Sequence, residues 1–232
     1  MWNGKKKAIT FSFDDGVKQD IRTIEILNKY GLKATFNLNS GLLGLVGEIK
    51  WIDGTAVRHD KVEAQDVKRV YEGHEVAVHT LTHPNLTQLS EQTIIRQVEE
   101  DRKALSGLVG YDVIGMAYPC GGVNNDDRVA EIIGRNTPIR YSRTITSTET
   151  FDLQKNLLRF NPTVYWQFRD KSFEIAEKFL ASETEEPQLF YVWGHTYEFD
   201  MVEGDWERFE KFCAMIAGKE DIYYGTNKEV LL

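Results

Sequence analysis

The sequence Ala8-Ile9-Thr10-Phe11-Ser12-Phe13-Asp14-Asp15-Gly16 runs from a short apolar segment straight into two adjacent carboxylates and a glycine. A short apolar run bounded by a turn signal reads as a buried strand. The two acids at its end repel each other, and a desolvated carboxylate needs a cation or a proton. Such a pair occurs either as an Asp-Asp-Gly turn leading to a helix N-cap or because a metal or a reaction uses it. The rest of the chain separates these alternatives.

Outward from this stretch, extended and helical patterns alternate, which is the signature of an α/β fold. Val17, Ile21, Ile24, Leu27 and Tyr30 recur at helical spacing before a stop at Gly31. Further strands are expected over 34–39, over 75–78 running into His79, over 112–117, over 139–145 and over 189–193 before Gly194-His195. Helices are expected over 62–71, over 90–108 with Ser90 as cap, from Asn125 or Asp126, over 168–180, and around Trp206, Phe209, Cys213 and Ile216. Residues 41–60 hold four glycines and read as a long irregular functional loop. Residues 157–164 read as extended, with Pro162 keeping them at an edge or turn. A short strand near 222–224 and an extended end at 230–232 complete the pattern. No repeat, low-complexity tract or linker divides the chain, so 1–232 is expected to be one domain. An α/β barrel fits that length.

Hydrophobic residues at 41% and aromatic residues at 12% support a packed core and exclude disorder. The net charge of -8 gives no electrostatic footprint for nucleic acid or an anionic membrane. Cys120 and Cys213 are too few for a disulfide framework or a cysteine-based zinc site. Residues 1–7 are basic, but a short strand broken by Thr and Ser follows, not a signal-peptide core. No apolar run is long enough to span a bilayer. The chain as it stands reads as cytoplasmic, with no nucleic-acid or membrane partner, and it says nothing of oligomeric state.

Strand after strand ends in residues able to do chemistry: Asp14 and Asp15, Asn39, His79, residues 118–120, and His195. In a parallel barrel these ends share one face, where active sites sit. In His79-Thr80-Leu81-Thr82-His83 two histidines four apart fall on one side if the segment turns helically, within reach of one cation. The alternative is a pair of hydrogen-bonded loop histidines. One carboxylate of the Asp pair would supply a third ligand, and two histidines plus a carboxylate is an arrangement of hydrolytic metal sites. The other carboxylate is then free to act as general base. His195 stands at a strand end beside acids able to orient it or raise its pKa, which makes it a catalytic candidate. His59 and His74 show no such context, and His74, placed before its strand, reads as structural. Most aromatics belong in the core. Trp51 in the Gly-rich loop and Trp193 at a strand end are candidate substrate platforms.

Taken together, these stretches resemble the polysaccharide deacetylase family, carbohydrate esterases with the NodB homology domain. Ser12-Phe13-Asp14-Asp15-Gly16 resembles the family's T-F-D-D-G, and His79-Thr80-Leu81-Thr82-His83 matches its H-[ST]-x-x-H. Ala117-Tyr118-Pro119-Cys120-Gly121 aligns with R-x-P-Y-G, and residues 189–195 resemble its last strand and histidine. The resemblance implies a distorted (β/α) barrel of about seven strands. It implies Asp14 as general base and His195 as general acid. Asp15, His79 and His83 would bind a divalent metal, zinc most often, with cobalt, manganese or nickel as alternatives. Tyr118 and Cys120 would lie beside the substrate, with the Cys120 N–H facing the oxyanion. The implied reaction removes N-acetyl groups from an amino sugar or an N-acetylated oligo- or polysaccharide. Three departures stand out. Cys120 stands where the family's third motif has tyrosine. Ala117 replaces the family's arginine, the partner of the base, which leaves Arg140, Arg143 and Arg159 as candidates. The aspartate that tunes the acid histidine has no clear match, which leaves Glu198 or Asp200. Two alternatives therefore stay open: a hydrolase of another non-peptide amide on the same fold, and a catalytically silent carbohydrate-binding domain.

Overall fold

In the computed structural model, which describes residues 1–50 and 54–232, every residue of strand β1 (Lys7–Asp14) is buried. The alternation of its side chains explains how. Phe11 and Phe13 face outward and meet Phe209 edge-on. Thr10, Ser12 and Asp14 face the other way, into the interior of a curled sheet, where Asn37 Nδ2 donates to both Ser12 Oγ and Asp14 Oδ1. The outward face gains about 1.5–3 kcal/mol for each buried ring. The inward face is polar and has to be hydrogen-bonded to be buried at all.

After β1 come α1 (Asp20–Lys29), β2 (Ala34–Leu38), β3 (Glu48–Lys50), β4 (Ala56–Arg58), α2 (Val67–Val70) and β5 (Glu75–Val78). They are followed by α3 (Glu91–Val109), β6 (Gly115–Ala117), α4 (Asp127–Asn136), β7 (Tyr141–Arg143), β8 (Val164–Tyr165) and α5 (Arg169–Ala181). The chain finishes with β9 (Gln188–His195), α6 (Asp205–Ile216), β10 (Ile222–Tyr224) and α7 (Asn227–Leu231). The main sheet runs β7-β6-β5-β2-β1-β9-β8, with β10 beside the start of β1, and its pairs are parallel. Phe160 bridges to Arg143 in parallel, so residues 160–165 join the two edges and the sheet curls into a distorted (β/α) barrel.

Parallel partners in register point to the same side, so the inward positions form rows. Asp14 is paired with Asn37 and with His195, and Ala117 with Arg143. Gly115 is paired with Tyr141, and a Cβ at 115 would collide with the Tyr141 hydroxyl. Glycine there is what lets the Tyr141 ring lie inside the barrel. The end of the barrel away from Asp14 is closed by α7. Thr226 and Glu229 form a capping box, the Asn227 N–H donates to Thr35 Oγ1 at 2.8 Å, and the Lys228 N–H donates to Glu75 Oε2 at 2.9 Å. The Glu75 carboxylate thus meets a helix N-terminus, where negative charge is favoured.

Some local expectations are corrected. Residues 62–71 hold only one turn of α-helix, α2, behind the 3-10 turn Ala64–Asp66. Residues 41–60 contain a short antiparallel hairpin of β3 and β4. Residues 157–164 start with the 3-10 turn Leu157–Arg159; extended backbone begins at Phe160, with its bridge to Arg143, and β8 follows at Val164. The end of the chain, expected to be extended at 230–232, is helical, because the Thr226/Glu229 box starts α7. Ile21 is exposed; α1 buries Thr23, Ile24, Ile26 and Leu27 instead. Among the described residues no helix is long and apolar enough to cross a membrane.

Candidate active site

The ends of β1, β5, β6, β8 and β9 surround one cavity of about 840 Å³, which Asp14, Asp15, His79, His83 and His195 all line. Four residues there, Asp15 (φ 84°), Thr80 (69°), His83 (60°) and Cys120 (71°), hold left-handed backbone without being glycine. Strain of this kind persists only where the surroundings enforce it, and it concentrates at functional sites.

Asp15 Oδ1 lies 3.7 Å from His83 Nε2 and 4.0 Å from His79 Nε2. Ligand atoms of these three residues all fall within 4.8 Å of one another. Ligands about 2 Å from one tetrahedral ion are separated by ~3.4 Å, so the set fits a divalent cation with little adjustment. His79 Nδ1 is 2.9 Å from the Ala117 carbonyl, which fixes its N–H there and leaves the Nε2 lone pair for a cation. Burial pushes His79 down to about 4 against the pull of Asp14 and Asp15, and it lowers His83 as well. Both rings are therefore neutral at pH 7, as ligands must be. Burial would raise the Asp15 carboxyl, but the His59 hydrogen bond and the Lys61 charge outweigh it and hold Asp15 well below the usual range.

Asp14 Oδ1 accepts from Asn37 Nδ2 at 2.8 Å and from Arg143 Nη2 at 2.6 Å, and Oδ2 is bonded to the same guanidinium nitrogen. Arg143 is fully buried, with its guanidinium 4.4 Å from the Trp193 ring. Being the register partner of Ala117, it enters the interior one strand along from the position that lacks an arginine. The other two arginines are corrected: Arg140 is exposed, and Arg159 is engaged with Asp127 and Asn125. Burial pushes the Asp14 carboxyl up, but Arg143, His79 and His195 together hold it below its ordinary value.

His195 Nε2 lies 4.0 Å from Asp14 Oδ2, while Nδ1 is 3.2 Å from Glu198 Oε1 and 3.3 Å from the Tyr165 hydroxyl. Tyr165 in turn donates to Glu198 Oε1. Burial works against the imidazolium, yet Glu198, Asp15 and Asp14 prevail and lift His195 to about 9. Asp200 is turned elsewhere, accepting from Trp206 Nε1 at 2.8 Å and Gln19 Nε2 at 2.9 Å.

Tyr118 and Cys120 both line the cavity; the Tyr118 hydroxyl donates to the Leu158 carbonyl at 2.7 Å, and the Cys120 thiol lies 3.4 Å from the His83 carbonyl. Trp193 is 5% exposed and packed between Arg143 and the Tyr165 ring (4.2 Å, 15°), so it offers the cavity an edge and no open platform. Trp51 lies outside the described residues. His59, which looked contextless in sequence, lies with Nε2 3.2 Å from Asp15 Oδ2. Lys61 Nζ donates to the Asp15 carbonyl at 2.7 Å. The polar cluster His59-Asp60-Lys61 inside a glycine-rich loop was the available signal. Tyr165 was missed because its strand has only two residues.

Residues 2–136, more than half of the chain, match the family model described as polysaccharide deacetylase. That stretch carries Asp14, Asp15, His79 and His83, whereas Arg143, Tyr165, His195 and Glu198 lie beyond it. The peptidoglycan-N-acetylglucosamine deacetylase PgdA of Listeria monocytogenes is 31% identical over 131 residues, which make up 55% of this chain and 24% of PgdA. The chain thus spans about a quarter of the length of that relative. Among solved structures, a mutant with restored enzymatic activity of the CE4-family pseudoenzyme BA3943 from Bacillus anthracis is similar, with a TM-score of 0.62 at 19% identity. The match covers 98% of this chain and 68% of that one. The peptidoglycan deacetylase PdaC from Bacillus subtilis gives a TM-score of 0.56 at 18% identity, covering 97% of this chain and 90% of PdaC. At these identities the two structures speak for the fold.

Proposed function

The chain belongs to the polysaccharide deacetylase family, and from that premise we propose that it hydrolyses the N-acetyl amide of an amino sugar, free or in an oligo- or polysaccharide, to acetate and an amine. The reading rests on one convergence: Asp14 Oδ2 is 3.9 Å from His79 Nε2 and 4.0 Å from His195 Nε2. Asp15, His79 and His83 would hold a divalent cation, zinc being the first choice for a donor set of two imidazoles and a carboxylate. When bound, such a cation supplies carbonyl polarisation and a lowered pKa for water.

Asp14 is then the general base. Arg143 and Asn37 keep its carboxylate ionised and in one orientation, ready to take a proton from the attacking water. His195 is the general acid: protonated up to about pH 9, it gives the Nε2 proton to the departing nitrogen as the C–N bond breaks. Glu198 and Tyr165 position it by engaging Nδ1. The Cys120 N–H is assigned to the developing oxyanion. A base pushed down and an acid pushed up in one site is the pattern expected of an acid–base pair. The empty arginine position at 117 favoured a silent binding domain; the Arg143–Asp14 pair argues against it.

The test is acetate release from N-acetylglucosamine and its oligomers, with and without chelator. Release is expected to stop on chelation and return with added zinc. Asp14→Asn is expected to retain the cation while turnover falls by about 10²–10⁴-fold. Turnover that ignores the chelator, or an Asp14→Asn protein of undiminished activity, would overturn the proposal.

A further inference from the structure

Three large apolar side chains left exposed, Leu45 (56%), Val46 (68%) and Phe168 (58%), line the same cavity as Asp14 and His195. Apolar residues scattered singly over a surface need no explanation, but a group of them at the mouth of one cavity marks a binding surface. The walls continue in kind with Leu42, Ile49 and Ile145. Around His195 the lining is aromatic. Tyr165 stands edge-on to Phe168 (5.9 Å, 88°) and to His195 (6.0 Å, 77°), and Tyr197 lies 5.1 Å from the imidazole.

A site that recognises a sugar by its hydroxyls needs convergent polar groups. Here the Tyr165 hydroxyl donates to Glu198 and that of Tyr118 to the Leu158 carbonyl. Beyond the residues gathered on Asp14 and Asp15, Glu48 is the charged group on the described lining, and it is paired with Lys50 at 2.7 Å. The rings surround the imidazole assigned to the departing nitrogen, which places the apolar demand on the amine half of the substrate. Resting on that assignment of His195, we infer that the substrate is an amphipathic acetamide: an N-acetylated amino sugar with an apolar alkyl or aryl aglycone, seated against Phe168, Leu45 and Val46.

The test reads binding of the amine products, which cannot turn over. Calorimetry on the purified protein compares the methyl, hexyl and phenyl β-glycosides of glucosamine with the glucosamine trisaccharide. Removing the hexyl or phenyl group from water is expected to make at least one of them bind about tenfold or more tightly than the methyl glycoside and the trisaccharide. Preference for hexyl identifies an alkyl aglycone, and preference for phenyl an aryl one. Phe168→Ser, and the double variant Leu45→Ser/Val46→Ser, should bring that ratio close to one. Val202→Ser, at an exposed apolar residue outside the cavity lining, should leave it unchanged. These positions are exposed, and thermal melts check that the variants fold. Equal affinities across the glycosides, or tightest binding by the trisaccharide, overturn the inference. Absence of acetate release from every N-acetylated compound would sink the deacetylase reading and leave an apolar binding preference standing; release without that preference does the reverse.

Discussion

At His195 opposing pressures meet: burial favours the neutral ring, and Glu198, Asp15 and Asp14 favour the cation and prevail. A raised pKa keeps the proton on the ring below about 9, and the donor is lost as pH rises through that value. Glu198→Gln keeps the shape of the Nδ1 contact and removes the strongest of the raising charges. In the metal-free protein the His195 titration should therefore fall from about 9 towards the ordinary ~6.5. NMR of the imidazole proton resonances reads this directly, and an unmoved titration would show that Glu198 does not govern the ring. The alkaline limb of deacetylation should move down with it. At this scale the sequence narrowed the partner to Glu198 or Asp200, and local geometry decides between them. In the 3-10 turn Thr196–Asp200, the residue three on from His195 returns to the ring, while Asp200 faces Trp206 and Gln19. Tyr165, 30 residues earlier in the chain, carried no sequence pattern that could tie it to His195.

At the scale of elements, the inward rows of the sheet make Arg143 and Ala117 neighbours at one level of the barrel. Arg143→Ala would leave the Asp14 carboxylate buried without its cation, at a cost of about 3–5 kcal/mol. For a chain of this size that lowers Tm by roughly 6–20 °C. The double variant Arg143→Ala/Ala117→Arg puts a guanidinium back on the adjacent strand, and at least half of the lost Tm should return. A double variant that melts below the single one would mean that the two positions are not interchangeable. The strands themselves were legible: β1, β2, β5 and β9 are short apolar runs ending in polar residues. Their register was not, because pairing across the sheet depends on how the barrel closes. That is why Arg143 stood in sequence only as one of three candidates. The hairpin of β3 and β4 was hidden by its glycines, and α7 by depending on a capping box and on docking to Glu75 and Thr35.

Over the whole molecule, alternation of strands and helices together with chemistry at the strand ends was enough to read the fold and to group Asp14, Asp15, His79, His83 and His195. It could not reveal that residues 59–62 fold back over the Asp15-Gly16 turn. There the Val62 N–H donates to the Gly16 carbonyl at 2.9 Å and the Lys18 N–H to the Asp60 carbonyl at 2.8 Å, which sets His59 and Lys61 against Asp15. The candidate metal centre thus joins the ends of β1 and β5 to this segment, and cation binding should stabilise the entire fold. At a free zinc concentration one hundred times Kd the gain is about 2.7 kcal/mol, or roughly 5–11 °C in Tm. Asp15→Ala or His79→Ala should abolish that shift. His59→Ala leaves all three ligands in place and frees only Asp15 Oδ2, so affinity should fall by about 10–100-fold, as for a lost outer partner of a ligand. At fixed zinc its shift should shrink, and more zinc should restore it in full. Calorimetric melts over a zinc series distinguish the outcomes: a shift that excess zinc cannot restore would make His59 part of the binding set itself, and an undiminished shift would mean that Asp15 holds its orientation without it.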